Sequence, residues 1–382
     1  MEMNITSSCP NKEICGSCRW SHIPYQKQLD QKLSDINSSF RSHALTLSCE
    51  EIVPAPQIAH YRNRMDFAID YQGRVGLREK GKWWRVLDNH CCFISDIHIE
   101  SAFHTVRQWT QKANLSFFDR KAHTGLLRYA VIRCTKNGET LITIITSAPT
   151  EESEEQRVKD ALAELAAMVP TQHVVWSIAD TVSDVSRGDR IIPIQNTPYL
   201  TEQILDYQYQ IHPFTFFQTN SLGAEKLLGT VLEFSSSISG KRFVDLYCGS
   251  GFFTIPISAH YENTLGIEIE EEAIERARSN AALNNISIDF LAAKTEDSSW
   301  AEEPIDLLLV DPPRAGLHDR ALEQLKKAHP PTLIYVSCNY KALARELQIL
   351  HGHYEVENIR AIDMFPHTPH VEVVTLLRAK KA

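Results

Sequence analysis

The sequence predicts an α/β chain with a doubly wound, parallel-stranded C-terminal half, a mainly antiparallel α+β domain in the centre and a cysteine-rich segment at the N-terminus. Three observations carry this. Apolar runs at 242–247, 263–267, 305–310 and 332–336 each end in a loop followed by helix-like sequence, as parallel strands covered on both faces do. Between about 60 and 148 short alternating segments dominate, separated by Gly73, Gly81 and Asn137–Gly138, which is a hairpin pattern. Finally, Cys9, Cys15 and Cys18 crowd the start of the chain.

At 382 residues the chain exceeds one ordinary core. It divides into a cysteine segment and helix over 1–58, a β-rich domain over 59–205 and a C-terminal domain over 206–382. No apolar run approaches the roughly 18 residues of a membrane span. The opening MEMNITSSCPNKEIC lacks the basic and then apolar regions of a secretory signal, so the expectation is a cytoplasmic protein, and a monomer.

The net charge of −9 is uneven. Residues 1–200 carry 23 basic and 23 acidic side chains, and residues 201–382 carry 16 and 25. Within 60–140 there are 14 basic against 8 acidic, so a polyanion is drawn to that segment. There Arg62, Arg64, Arg74, Arg78, Lys80, Lys82 and Arg85 are interleaved with Tyr61, Trp83 and Trp84, a composition suited to phosphate contacts and base stacking.

The central strands are expected in YRNRMDFAIDY, GRVGLRE, KWWRVLD, LLRYAVIRCT and ETLITIITSA, followed by a Glu-rich amphipathic helix at 151–168 and strands at 172–180 and 188–194. In the C-terminal half, RFVDLYCGSGFFTIPIS reads as strand, glycine turn and helix. Gly249 and Gly251 let the backbone approach a ligand at the strand end. About twenty residues on, Glu268 ends the next strand, where a carboxylate can bind two ribose hydroxyls. Asp311-Pro312-Pro313-Arg314 follows IDLLLV at the same sheet edge. Together these features indicate an S-adenosylmethionine site. Arg314 stands where amino-group methyltransferases carry an aromatic residue, which argues against nitrogen methylation.

Cys338 lies between an apolar strand and a helix in TLIYVSCNYKALARELQIL. Taken alone it is open to two readings, a packed thiol or a nucleophile whose thiolate the helix N-terminus stabilises. Glu372 alone reads as a solvated carboxylate opening the last strand. Cys9, Cys15 and Cys18, with HCC at 90–92, fit either an iron–sulfur cluster or four-sulfur zinc. Cys49, Cys134 and Cys248 read as packing residues.

FFQTN (216–220), DLYCGSG (245–251), DPPRAGL (311–317), VSCN (336–339) and DMFPHTPHVE (363–372) occur in the order found in the RNA uridine-5-methyltransferase family, which this sequence resembles, densely in its C-terminal half. The resemblance implies a Rossmann-like class I methyltransferase domain and a structured RNA substrate, with neither DNA nor membrane as partner. It implies that Gln218, Tyr247, Glu268 and Asp311 bind S-adenosylmethionine, that Cys338 is the nucleophile and that Glu372 accepts the C5 proton. Many members have proline where this chain has Tyr340, after the catalytic C-N pair. The ribosomal-RNA members further imply a [4Fe–4S] cluster on Cys9, Cys15, Cys18 and Cys92, with Cys91 the runner-up for the fourth ligand. With the cysteines present and no β-barrel expected before Cys9, the sequence looks like the short 23S ribosomal-RNA branch. A transfer-RNA enzyme, a cytosine-5 RNA methyltransferase and a non-catalytic RNA-binding assembly factor are the alternatives. The cytosine enzymes carry their nucleophile in T-C or P-C, not S-C-N.

Overall fold

The computed structural model describes Cys9, residues 11–90 and residues 92–381. Its central sheet runs, edge to edge, Lys82–Asp88, Val75–Glu79, Arg64–Ile69, Leu127–Cys134, Thr140–Ser147, His173–Ala179 and Arg190–Gln195. Each strand matches a predicted segment, the last running one residue past 188–194. Neighbours are antiparallel except Thr140–Ser147 and His173–Ala179, which run parallel because the helix Glu152–Met168 returns the chain between them. A second helix, Ile97–Thr110, is not legible as such in its His- and Thr-containing sequence. It is capped by Asp96, whose carboxylate accepts from the His98 amide at 2.8 Å. Trp109 on this helix donates its indole N–H to Ala161 O on the other at 2.7 Å. Both helices thereby close one core over the sheet.

The second sheet runs Ile52–Val53, Tyr354–Ile362, Glu372–Ala379, Thr332–Ser337, Leu307–Val310, Gly240–Leu246, Tyr261–Glu268 and Asp289–Ala292. The four predicted apolar runs form its middle. Their side chains alternate between two cores: Phe243, Leu307 and Leu309 face one, while Val244, Leu246, Leu308 and Val310 face the other. That two-sided burial is why these strands read as continuous apolar sequence. Glu372–Ala379 is inserted antiparallel between Thr332–Ser337 and Tyr354–Ile362. Strand order reverses between Gly240–Leu246 and Leu307–Val310, so a crevice opens beyond their C-terminal ends.

The N-terminal segment is built into this second layer. Ile52 and Val53 pair with Ala361 and Ile362, and Ile36 and Phe40 of the helix Tyr25–Ser42 share a core with Leu343 and Leu347. Lys32 reaches Asp363 at 2.6 Å with both side chains fully buried, and Tyr25 donates to the other Asp363 oxygen at 2.8 Å. Removing one partner of a buried pair costs roughly 3–5 kcal/mol. The loop that leads into Glu372 is therefore stiffly held. Among the described residues no helix is long and apolar enough to cross a membrane.

The basic stretch of the central sheet differs in detail from its sequence pattern. Arg64 pairs with Asp66, Arg74 with Asp70, Arg78 with Asp184, and Lys82 and Arg85 with Glu79. Asp66, Asp70 and Glu79 are local and already counted within 60–140, so of these carboxylates only Asp184, which also pairs with Arg120, offsets the excess from outside that stretch. Tyr61 is buried and donates its hydroxyl to Pro366 O at 3.0 Å, whereas Trp83 and Trp84 are exposed.

Candidate active site

The glycine turn is strained, as a close-approach loop tends to be. Gly249 and Gly251 adopt φ of +54° and +84°, and Tyr247, a non-glycine, takes +67°. Glu268 braces the turn: its carboxylate accepts from the Gly249 amide at 3.3 Å and from the Ile269 amide at 2.7 Å. Below it Asp245 is fully buried. One oxygen accepts from Thr254 at 2.6 Å, and the other, Oδ1, finds no partner among the described residues. Burial holds the Asp245 carboxyl well above the usual range, with Asp311 and Glu268 adding to the effect. Asp245 opens the DLYCGSG motif, yet the sequence reading gave it no site role.

The segment FFQTN bridges the two sheets. Asn63 of the central region donates its side-chain amide to Gln218 O at 3.1 Å and its backbone amide to Thr219 O at 3.0 Å. Asn220 caps the helix Ser221–Ser235 through the Gly223 amide and donates to Met364 O at 2.8 Å. The adjacent phenylalanines separate cleanly. Phe217 packs with Tyr209 and Phe252, while Phe216 is 72% exposed at the cavity wall.

Cys338 stands immediately before Asn339, which caps the helix Tyr340–Leu350 by accepting from the Lys341 amide at 3.1 Å. Glu372 opens the neighbouring strand and is 7% exposed. A single cavity of about 870 Å³ is lined by Gln218, Tyr247, Glu268, Asp311, Cys338 and Glu372. All six predicted residues therefore meet, although they come from loops spread over more than 150 residues of sequence. The volume suits a small molecule plus one base. His370, Arg314 and Phe365 also line it, and sequence reasoning assigned none of them a role.

The electrostatics are unlike the sequence expectation for Cys338. Burial, then Glu372 and Asp311, push its thiol up to about 11, and only Arg314 opposes them. Position ahead of a helix N-terminus does not by itself produce a thiolate here. Burial likewise pushes Glu372 up to about 8, with Asp311 adding and Arg314 opposing, and burial pushes Asp311 up to about 7.

The cysteine segment packs against the loop that leads into Glu372, where the Trp20 amide donates to His367 O at 3.0 Å, but Cys9, Cys15, Cys18 and Cys92 do not line the cavity. Cys18 and Cys92 interact, and Cys9 and Cys15 are close enough to act on Cys18 as well. Cys18 lowers the Cys92 thiol against its burial, and the Ile94 amide and Arg62 act in the same sense. Among the described residues no three His, Cys, Asp or Glu side chains converge tightly enough to hold a single metal ion. Cys91 lies outside the described residues. Cys49, Cys134 and Cys248 are buried, as packing thiols should be, although Cys248 also touches the cavity.

A doubly wound sheet with a glycine turn, a carboxylate ending the second strand and an acidic loop across the switch point defines a class I methyltransferase. Residues 24–380 match the tRNA (uracil-5-)-methyltransferase family. An uncharacterized RNA methyltransferase of Clostridium acetobutylicum is 37% identical, over 97% of this chain and 84% of its own length. The tRNA (uracil(54)-C(5))-methyltransferase of Pyrococcus horikoshii is 34% identical, over 98% of this chain and 86% of its own. The crystal structure of the tRNA (uracil-54, C5)-methyltransferase of Pyrococcus abyssi, solved with S-adenosyl-L-homocysteine, superimposes with a TM-score of 0.79 at 33% identity. That match covers 94% of this chain and 85% of the other. The chain belongs to the tRNA (uracil-5-)-methyltransferase family and is an S-adenosylmethionine-dependent RNA (uracil-C5)-methyltransferase.

Proposed function

We propose that this enzyme methylates one loop uridine of a structured RNA, with Cys338 as nucleophile, Glu372 as proton acceptor and Gln218, Tyr247, Glu268 and Asp311 around S-adenosylmethionine. The observation that carries the reading is the meeting of all six in one cavity. Uracil C5 is too weak a carbon nucleophile to take a methyl unaided. Addition of the Cys338 thiolate to C6 moves the electron pair into an enolate, which makes C5 nucleophilic. Bound S-adenosylmethionine supplies the electrophilic methyl. Glu372 then takes the C5 proton, the C6–S bond breaks and the thiolate returns. A carboxyl near pKa 8 is well matched to that task around neutral pH. The base must leave its stack to enter the cavity.

For the RNA, the Pyrococcus relatives named as tRNA (uracil(54)-C(5))-methyltransferases make transfer-RNA uridine 54 the first target. The cysteine spacing favours 23S ribosomal RNA as the second reading. Incubation of the purified protein with unmodified transcripts of each, followed by mass-spectrometric mapping, separates them. We expect a single 5-methyluridine in one transcript; methylation of neither, or at many uridines, overturns the loop-specific reading.

We further propose an iron–sulfur cluster on the interacting thiols near the N-terminus, since a cluster spreads its ligands more widely than one zinc ion does. Cys9, Cys15, Cys18 and Cys92 would hold it, and it would cross-link the N-terminal segment to the loop that follows the strand Lys82–Asp88. An anaerobic preparation should be brown, with iron and sulfide in equal amounts. A colourless protein with stoichiometric zinc refutes the assignment.

A further inference from the structure

The environment of Cys338 poses a problem that the six expected residues do not solve. A thiol held near 11 is almost wholly protonated at neutral pH, and its two carboxyl neighbours, Glu372 and Asp311, favour that form. Arg314 is the cationic group that opposes them, and it lines the same cavity as the sulfur.

Arg314 is held there from two sides. Its backbone is tied to the loop of Cys338 itself, since the Asn339 side-chain amide donates to Arg314 O at 2.8 Å. Farther along the same loop, Arg345 donates to Ala315 O at 3.0 Å, and the buried Glu346 accepts from the Leu317 amide at 3.1 Å. Gly316 sits at φ +88°, and a Cβ there would fall 1.9 Å from a Glu346 oxygen. Only glycine lets the loop lie so close. At the other end, the guanidinium lies 3.4 Å from His370 Nδ1. Arginine has no acceptor, so His370 must accept, which makes it a neutral imidazole with its proton on Nε2. Burial, then the charges of Arg314, Lys32 and Arg19, push the His370 imidazole below its usual range.

We propose that Arg314 stabilises the Cys338 thiolate directly, and that neutral His370 is the positioning residue that aims the guanidinium at the sulfur. The proposal rests on Cys338 being the nucleophile. It also gives the arginine of D-P-P-R a chemical reason: a planar fork bridges sulfur and imidazole, which an aromatic side chain cannot do.

The test is the rate at which iodoacetamide alkylates Cys338 in the free protein between pH 7 and 10, followed on the Cys338 peptide by mass spectrometry. The readout needs neither RNA nor turnover. Arg314→Gln should slow alkylation at pH 8 about tenfold, one unit of thiol pKa. Arg314→Lys, which keeps the charge and loses the fork, should fall between it and the wild type. His370→Ala should lose part of the rate, and His370→Asn, whose carbonyl can accept the same bond, should recover it. An unchanged pH profile in both Arg314 variants, with S-adenosylmethionine binding intact, overturns the role of Arg314. Equal losses in His370→Ala and His370→Asn overturn that of His370. Failure of the nucleophile reading shows separately, as methylation by a Cys338→Ala protein.

Discussion

Cys338→Ala is expected to abolish 5-methyluridine formation, by roughly 10⁴-fold or more, the scale on which enzymes lose rate when their nucleophile is removed. No other group in the cavity can replace it. Cys248 also lines the cavity, but burial, with Asp245 and Glu268 adding, holds its thiol well above the usual range, so it stays protonated. The substitution removes one half-buried sulfur at a loop position, so the fold should lose little stability. S-adenosylmethionine binding, measured by calorimetry, should stay within about twofold, below 0.5 kcal/mol. Methyl transfer is read with labelled donor and RNA. Appreciable turnover by this variant would falsify covalent catalysis, and loss of cofactor binding would show that Cys338 shapes the donor site instead.

Glu372→Gln should give a different failure. Addition and methyl transfer need no base at C5, so one methyl should pass to RNA. Elimination does need it, and should slow by roughly 10²–10⁴-fold. The protein should therefore accumulate as an adduct with methylated RNA that survives denaturing electrophoresis. Glutamine is a fair mimic of the resting site, because a carboxyl near pKa 8 is largely protonated at neutral pH. The sign of the pH dependence follows. The wild type needs the carboxylate, so its elimination rate should rise with pH through about 8, and the variant should lack that rise. Free turnover without an adduct sinks the assignment of Glu372.

The chemistry was legible in sequence because each motif is local. The turn Tyr247–Gly251 needs glycine for its backbone, Asp311 and its prolines end a strand, and Cys338-Asn339 joins a strand to a helix cap. Such loops carry their residue types wherever the fold places them. The helix Ile97–Thr110 was not legible, because Trp109 and Val106 are settled by the core they meet more than by a clean apolar stripe. One pairing of the basic stretch was hidden in a similar way. Arg78 lies 106 residues from Asp184, and no local pattern announces that pair.

The six expected residues of the cavity, the strand–helix alternation of the C-terminal half and the distinction of Cys338 from the cysteines near the N-terminus were legible in the sequence, whereas the order of the strands was not. What only the tertiary structure decided is that order and the state of those groups. Asp363 is fastened to Lys32 across 331 residues, Tyr61 is buried against Pro366, and Arg314 is poised between Cys338 and His370. The physical reason is range. Backbone conformation and strand ends are governed by neighbours along the chain, whereas burial and charge–charge contact depend on whatever the fold packs alongside. The acidity of Cys338 belongs to the second kind.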